Sequence, residues 1–136
     1  MAVFPSETWL DNFVTKLNRD ERYAQVAGNW EGDMLFLIEP GGALAEKKVI
    51  YLDLWHGKCR DAYFVDAASA IPAAAFTLQA PYPNYVRIMR GELDPMQAML
   101  TRKLKVSGNM AYMLRNVQVV LDFVRCLREV SDDFLE

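Results

Sequence analysis

Gly91-Glu92-Leu93-Asp94-Pro95-Met96-Gln97-Ala98-Met99-Leu100-Thr101-Arg102-Lys103-Leu104-Lys105-Val106-Ser107-Gly108-Asn109-Met110-Ala111-Tyr112-Met113-Leu114-Arg115-Asn116 is the stretch whose punctuation decides the fold. Asp94 is placed to cap a helix. Pro95 suits the first helical position, where its missing N–H would be unpaired anyway, and Gln97 stands where a capping-box partner reaches back. Lys103 to Ser107 alternates polar and apolar, which predicts a short strand with Leu104 and Val106 on one face and the lysines towards water. Gly108-Asn109 ends that strand. Apolar residues then recur at Met110, Met113, Leu114, Val117, Leu121 and Val124, the spacing of one helical face.

Upstream, Ser6 is an N-cap for a helix carrying Leu10, Phe13, Val14 and Leu17, and Asp20 caps a second, shorter helix stopped by Gly28. From Asn29 the period falls to two. Trp30, Met34, Phe36 and Ile38 share one side of a strand that is polar at its entry and buried on both faces later. Pro40-Gly41-Gly42 turns the chain into a strand over Lys48 to His56, with Ile50, Leu52 and Leu54 on one face. His56-Gly57-Lys58 is a tight turn into a third strand over Cys59 to Val65, so these two predict a hairpin.

Asp66 to Pro72 reads as a loop, and Ala74, Phe76 and Leu78 alternate as a fourth strand. Pro81 to Asn84 ends it and lets Asn84 cap a helix over Tyr85, Ile88 and Met89. The last helix is expected to run from Asn109 to about Val130. Beyond Val117 it is apolar on more than one face, which requires packing on both sides or against a second subunit. The order of elements predicts an α+β fold with a five-stranded, mainly antiparallel sheet.

At 136 residues the chain fits one domain, 1–136, that buries a sizeable core without staples. A net charge of −3 argues against a nucleic-acid protein, whose affinity comes from lysine and arginine on phosphate. Cys59 and Cys126 form no C-x-x-C unit and follow no secretory signal, so reduced thiols in the cytoplasm are expected. No apolar run approaches the roughly 20 residues of a membrane span.

Gly-Glu-Leu-Asp-Pro-Met-Gln-Ala-Met-Leu over 91–100, followed by Leu-Lys-Val-Ser-Gly-Asn-Met over 104–110, resembles the signature of the sterol carrier protein 2 family of small lipid-binding domains. The likeness extends more loosely, as an order of elements, from Trp30 to Leu121. It implies helices on one face of the sheet and an apolar tunnel between them for a fatty acid, acyl-CoA, sterol or phospholipid, with no cofactor and no catalysis. The chain closes on Asp-Phe-Leu-Glu instead of the Ser-Lys-Leu address of eukaryotic members, which points to a stand-alone prokaryotic protein and weakens the case for a sterol.

Met89, Met96, Met99, Met110 and Met113 crowd into a short span, and methionine is flexible enough for a cavity that accepts varied shapes. They serve equally as filler of an ordinary core. On the pocket reading, Met96, Met99, Leu100, Met110, Met113, Leu114 and Val117 form the helical side of a ligand site. Phe36, Ile38, Leu52, Leu54 and Phe76 complete it from the sheet. Arg102, Lys103 and Lys105 either keep a strand edge soluble or attract the phosphate of a headgroup at the tunnel mouth. The expected partners are a lipid or acyl ligand, a membrane surface met transiently and, on the competing reading of a filled core, a second copy of the chain or a larger enzyme.

Catalytic and metal chemistry find little support. His56 is the one histidine, too few for the usual zinc site, and a His56–Cys59 nucleophile pair lacks any third orienting group. Gly41-Gly42 has no phosphate-cradle frame. Glu129, Asp132 and Asp133 read as a solvated charged tail.

Overall fold

The computed structural model describes residues 2–66 and 68–135; Ala67 of the expected loop and Glu136 of the tail lie outside the described residues. In chain order the elements are β1 (Val3–Phe4), α1 (Glu7–Arg19), α2 (Glu21–Val26), β2 (Met34–Glu39), β3 (Lys48–Trp55), β4 (Lys58–Phe64) and β5 (Phe76–Pro81). They continue as α3 (Tyr82–Met89), α4 (Pro95–Leu100), β6 (Lys105–Ser107), α5 (Met110–Arg115), α6 (Val117–Val130) and β7 (Asp133–Phe134).

Local chemistry sets most of these boundaries. Ser6, Asp20, Asp94 and Asn109 each accept a hydrogen bond from a backbone N–H in the first turn of the helix they precede. The β3–β4 hairpin turns on His56 and Gly57, both at positive φ (49° and 79°). Gly57 is needed twice over, since a Cβ there would also stand 2.9 Å from the Ala24 carbonyl oxygen of α2.

The five-stranded sheet has the order β4-β3-β2-β5-β6. Three of its pairings are antiparallel and the β2–β5 pair is parallel, so the expected mainly antiparallel sheet is present with one parallel seam at its centre. After the hairpin the chain crosses back to the free side of β2, and β5 enters in the same direction as its neighbour. Met34, Phe36, Ile38, Ile50, Leu52 and Leu54 are buried on the face that the helices cover. An aromatic cluster locks the layers, with Phe13 against Phe123 at 5.3 Å, Phe36 against Tyr85 at 5.8 Å and Phe4 edge-on to Trp9 at 4.7 Å.

Three features differ from expectation. Helix α3 starts at Tyr82 and not beyond Asn84, because Pro83 is tolerated in the first turn; the Asn84 amide instead donates to the Lys103 carbonyl at 2.9 Å. The last helix is broken at Asn116, which leaves helical geometry (φ −119°, ψ 36°) while its side chain donates to the Tyr112 carbonyl at 2.7 Å. The third is a small parallel sheet of β1 and β7 that joins the two ends of the described chain. Tyr82 fastens it, donating its hydroxyl to the Phe4 carbonyl at 2.6 Å and accepting from the Leu135 amide at 2.9 Å.

The second apolar face of α6 is used within the chain, against α1, α2 and α3. Charges fix the same contact. Arg125 bonds Asp122 and Glu129 on its own helix and Asp20 at the start of α2, and Lys16 of α1 bridges Asp20 and Glu129. Glu129 is therefore part of a network and not merely a solvated tail.

Candidate functional site

Between the sheet and the helices lies an apolar cavity of about 50 Å³. A single water needs about 10–15 Å³ and several polar partners, so this space is large enough to hold water but offers it nothing to bond. Met34 and Phe36 of β2, Leu54 of β3, Leu78 of β5 and Val106 of β6 form its floor. Its roof is made by Tyr85, Ile88 and Met89 of α3, Pro95 and Met99 of α4, Met113 of α5, and Val119, Val120, Phe123, Val124 and Leu127 of α6. Tyr23, Trp30 and Leu104 close the remaining sides.

The polar atoms of the lining are turned away from the space. The Tyr85 hydroxyl donates to the Leu78 carbonyl at 2.9 Å and lies 3.3 Å from the Leu37 carbonyl, so it bridges the parallel seam while its ring faces the cavity. Burial pushes its pKa well up. The Trp30 indole N–H donates to the Gly32 carbonyl at 2.9 Å, and its ring leans on Phe76 and Tyr112. A greasy wall results from residues that carry polar tips.

Of the residues expected at a site, the structure brings Phe36, Leu54, Met99 and Met113 together around this cavity. Ile38 and Leu52 share the floor's face but are fully buried in the core outside the lining, and Phe76 stands behind the wall against Trp30. Met96, Met110 and Val117 are half-buried outside the lining, while Leu100 and Leu114 are 77% and 56% exposed. Helical phase explains the division. Pro95, Ala98 and Met99 form the inward face of α4, which leaves Leu100 outside. The inward stripe of α6 is Val119, Val120, Phe123, Val124 and Leu127; it keeps the expected Val124 but leaves Val117, half-buried, and Leu121, exposed, outside it.

The missed lining residues left different signals. Leu78 and Val106 share the parity of Phe76 and Leu104 in their strands, so strand alternation alone points to them. Tyr23, Trp30 and Met89 come from separate elements and are joined only by the tertiary fold. Arg102 and Lys103 lie exposed in the α4–β6 connection and Lys105 is exposed at the first position of β6, on the other side of Leu104.

The groups considered for other chemistry are occupied elsewhere. The His56 Nε2 lies 2.6 Å from a Glu31 carboxylate oxygen, while the Cys59 thiol donates to the Asp61 carbonyl at 3.4 Å. Burial pushes the Cys59 thiol up to about 12 and the Cys126 thiol up to about 11, so both stay protonated at neutral pH. Asp20, Asp122 and Cys126 offer ligand atoms within 4.8 Å of one another, yet the Arg125 guanidinium already bonds both carboxylates, at 2.6 and 2.8 Å.

The family model described as the SCP-2 sterol transfer family matches residues 10–121. The chain belongs to that family. A crystal structure of sterol carrier protein 2 is 29% identical with a TM-score of 0.82, over 93% of this chain and 98% of the other. A solution structure from Thermus thermophilus, described as possibly a sterol carrier protein, is also 29% identical with a TM-score of 0.82, over 97% and 92% of the two chains. More distantly, the solution structure of sterol carrier protein-2 from Aedes aegypti in complex with palmitate shares the fold at 20% identity and a TM-score of 0.54, over 93% and 98% of the chains. A search of curated proteins returns no match.

This SCP-2 family membership makes lipid binding or transfer the function class, and it accounts for the Gly91 to Asn116 stretch as the part of the fold that carries α4, β6 and α5. No helix among the described residues is long and apolar enough to cross a membrane.

Proposed function

We propose that the chain binds a lipid-like molecule in this cavity and hands it over without chemical change, with the ligand's hydrocarbon part among Met99, Met113, Phe36 and Leu54. The observation that supports this most directly is an enclosed apolar space whose wall includes four methionines, Met34, Met89, Met99 and Met113. Methionine side chains rearrange at low cost, so the wall can part to admit a chain longer than the resting space. The same fold holds palmitate in the Aedes aegypti protein.

Energetics favour a carrier over a permanent store. Burying an acyl chain stabilises it by about 0.8 kcal/mol per methylene, or about 12 kcal/mol for a tail of about 16 carbons, but a bilayer offers the same gain. Association entropy and the widening of the wall subtract from the protein's share. Moderate affinity with exchange during brief membrane contact follows, as expected of a protein working in the cytoplasm.

Native mass spectrometry of protein purified without detergent tests the reading. The expected result is a population carrying one lipid-sized adduct, and a delipidated sample that takes up one equivalent of a fluorescent fatty acid. Protein that is bare as isolated and takes up nothing would leave the cavity an ordinary packing defect.

A further inference from the structure

A shallow hollow on the surface is lined by Met99, Arg102, Leu104, Lys105 and Val106. Met99, Leu104 and Val106 also line the buried cavity, so these three apolar side chains stand in the partition between the two spaces. On the outer side of that partition stand two cations, and on its inner side there is only hydrocarbon.

The cations are presented by a fixed backbone. The Thr101 amide donates to the Gln97 carbonyl at 2.9 Å before Arg102, and after it the Leu104 amide donates to the Ala98 carbonyl at 3.0 Å while Asn84 holds the Lys103 carbonyl, so the connection is tied on both sides of Arg102. Arg102 itself has a φ of 59°, a left-handed conformation that costs an L-residue and that glycine would adopt freely. Among the described residues, neither Arg102 nor Lys105 makes an ion pair, in a chain whose net charge is −3.

We propose that this hollow receives the anionic head of the ligand, a carboxylate or phosphate held by Arg102 and Lys105, while the tail passes between Met99 and Leu104 into the cavity. The proposal rests on the cavity being the lipid site, and it deepens that reading by naming Arg102 and Lys105 as the side chains that set a preference for an anionic head over a neutral one. Met99 and Leu104 are then the gate. The strained Arg102 backbone aims a planar donor group at the mouth, where it can hold two oxygens at once.

The test compares hexadecanoic acid, hexadecyl phosphate and hexadecanol as competitors of a bound fluorescent fatty acid, in the wild type and in an Arg102→Ala/Lys105→Ala double variant. The double variant is expected to lose about fivefold in affinity for the acid and the phosphate, the worth of two exposed charge pairs, and nothing for the alcohol. Unchanged alcohol binding also shows that the variant is folded. In the wild type, raising the salt to about 0.5 M is expected to narrow the preference for the charged ligands. If the variant binds acid and alcohol as the wild type does, the headgroup site is refuted and the cavity reading survives. If the wild type binds none of the three, both fall together. Inorganic phosphate competing as well as hexadecyl phosphate would mark a free-anion site and overturn the link to the cavity.

Discussion

Arg125 and Asp20, 105 residues apart in sequence, meet at 2.6 Å and bind the helix roofing the cavity to the cap of α2. The same Asp20 carboxylate oxygen accepts from the Tyr23 amide at 2.8 Å, so one side chain starts a helix and anchors another. The junction between the N-terminal helices and α6 is thereby fixed by charge as well as by the Phe13–Phe123 contact.

Replacing Arg125 by methionine should therefore destabilise the fold by about 3 kcal/mol, because Asp122, which is buried, and Asp20 would lose their main counter-charge. Urea denaturation measures it. Arg60→Ala, which removes a pair with Asp53 on the sheet's outer side, should cost less than about 1 kcal/mol. Equal losses in the two variants would deny the α6 network its special role.

Acid should loosen the same contact. The Arg125 guanidinium holds the Asp20 carboxyl well below its ordinary 3.8, and Lys16, then Arg125, holds Glu129 below its ordinary 4.5. Both groups bind protons more weakly in the folded chain, so their contribution is complete above about pH 5 and is lost as the pH falls through 4 and below. Thermal melts between pH 7 and 3 should show the midpoint falling mainly below pH 4, and a smaller fall in an Asp20→Asn variant.

Cys59 and Cys126 should resist alkylation in the native state at pH 7.5, since each is buried and protonated there. Iodoacetamide followed by mass spectrometry should find both unmodified over an hour, and both modified at once in denaturant. Rapid native labelling of Cys126 would mean that α6 opens far more often than its packing implies.

Helical phase separates two pairs of otherwise similar residues. Met99→Trp and Met113→Trp place bulk in the cavity wall and should weaken uptake of a fluorescent fatty acid about tenfold, whereas Leu100→Trp and Leu114→Trp, on the exposed side, should leave it within twofold. A titration of the four variants decides it. Loss of uptake in the second pair alone would move the site to the outer face of α4 and α5.

Much of this architecture is legible in the sequence because short-range chemistry writes it there. Ser6, Asp20, Asp94 and Asn109 announce four helix starts by residue type, and the His56-Gly57 turn announces a hairpin. The parallel seam is not written locally, because Phe76 to Pro81 reads the same whichever side of β2 it joins. Nor is the break at Asn116. An asparagine inside an apolar helical stripe can point to solvent or bond its own backbone, and only packing decides between the two. Val117, next to that break, falls outside the cavity, and of the expected stripe Met113 and Val124 line it. The site's floor is half legible: alternation finds Phe36 and Leu54, while the same alternation also offers Ile38, Leu52 and Phe76, which the core takes.

The central position of β2 carries a consequence for synthesis on the ribosome. Its hairpin-side partner β3 follows within a few residues, but the strand that covers its other margin ends only at Pro81. Until then a nascent chain exposes the unpaired backbone of Met34-Leu35-Phe36-Leu37-Ile38, a row well suited to recruiting a foreign strand. Stalled or clipped products ending before β5 are thus expected to be the most aggregation-prone forms of this chain.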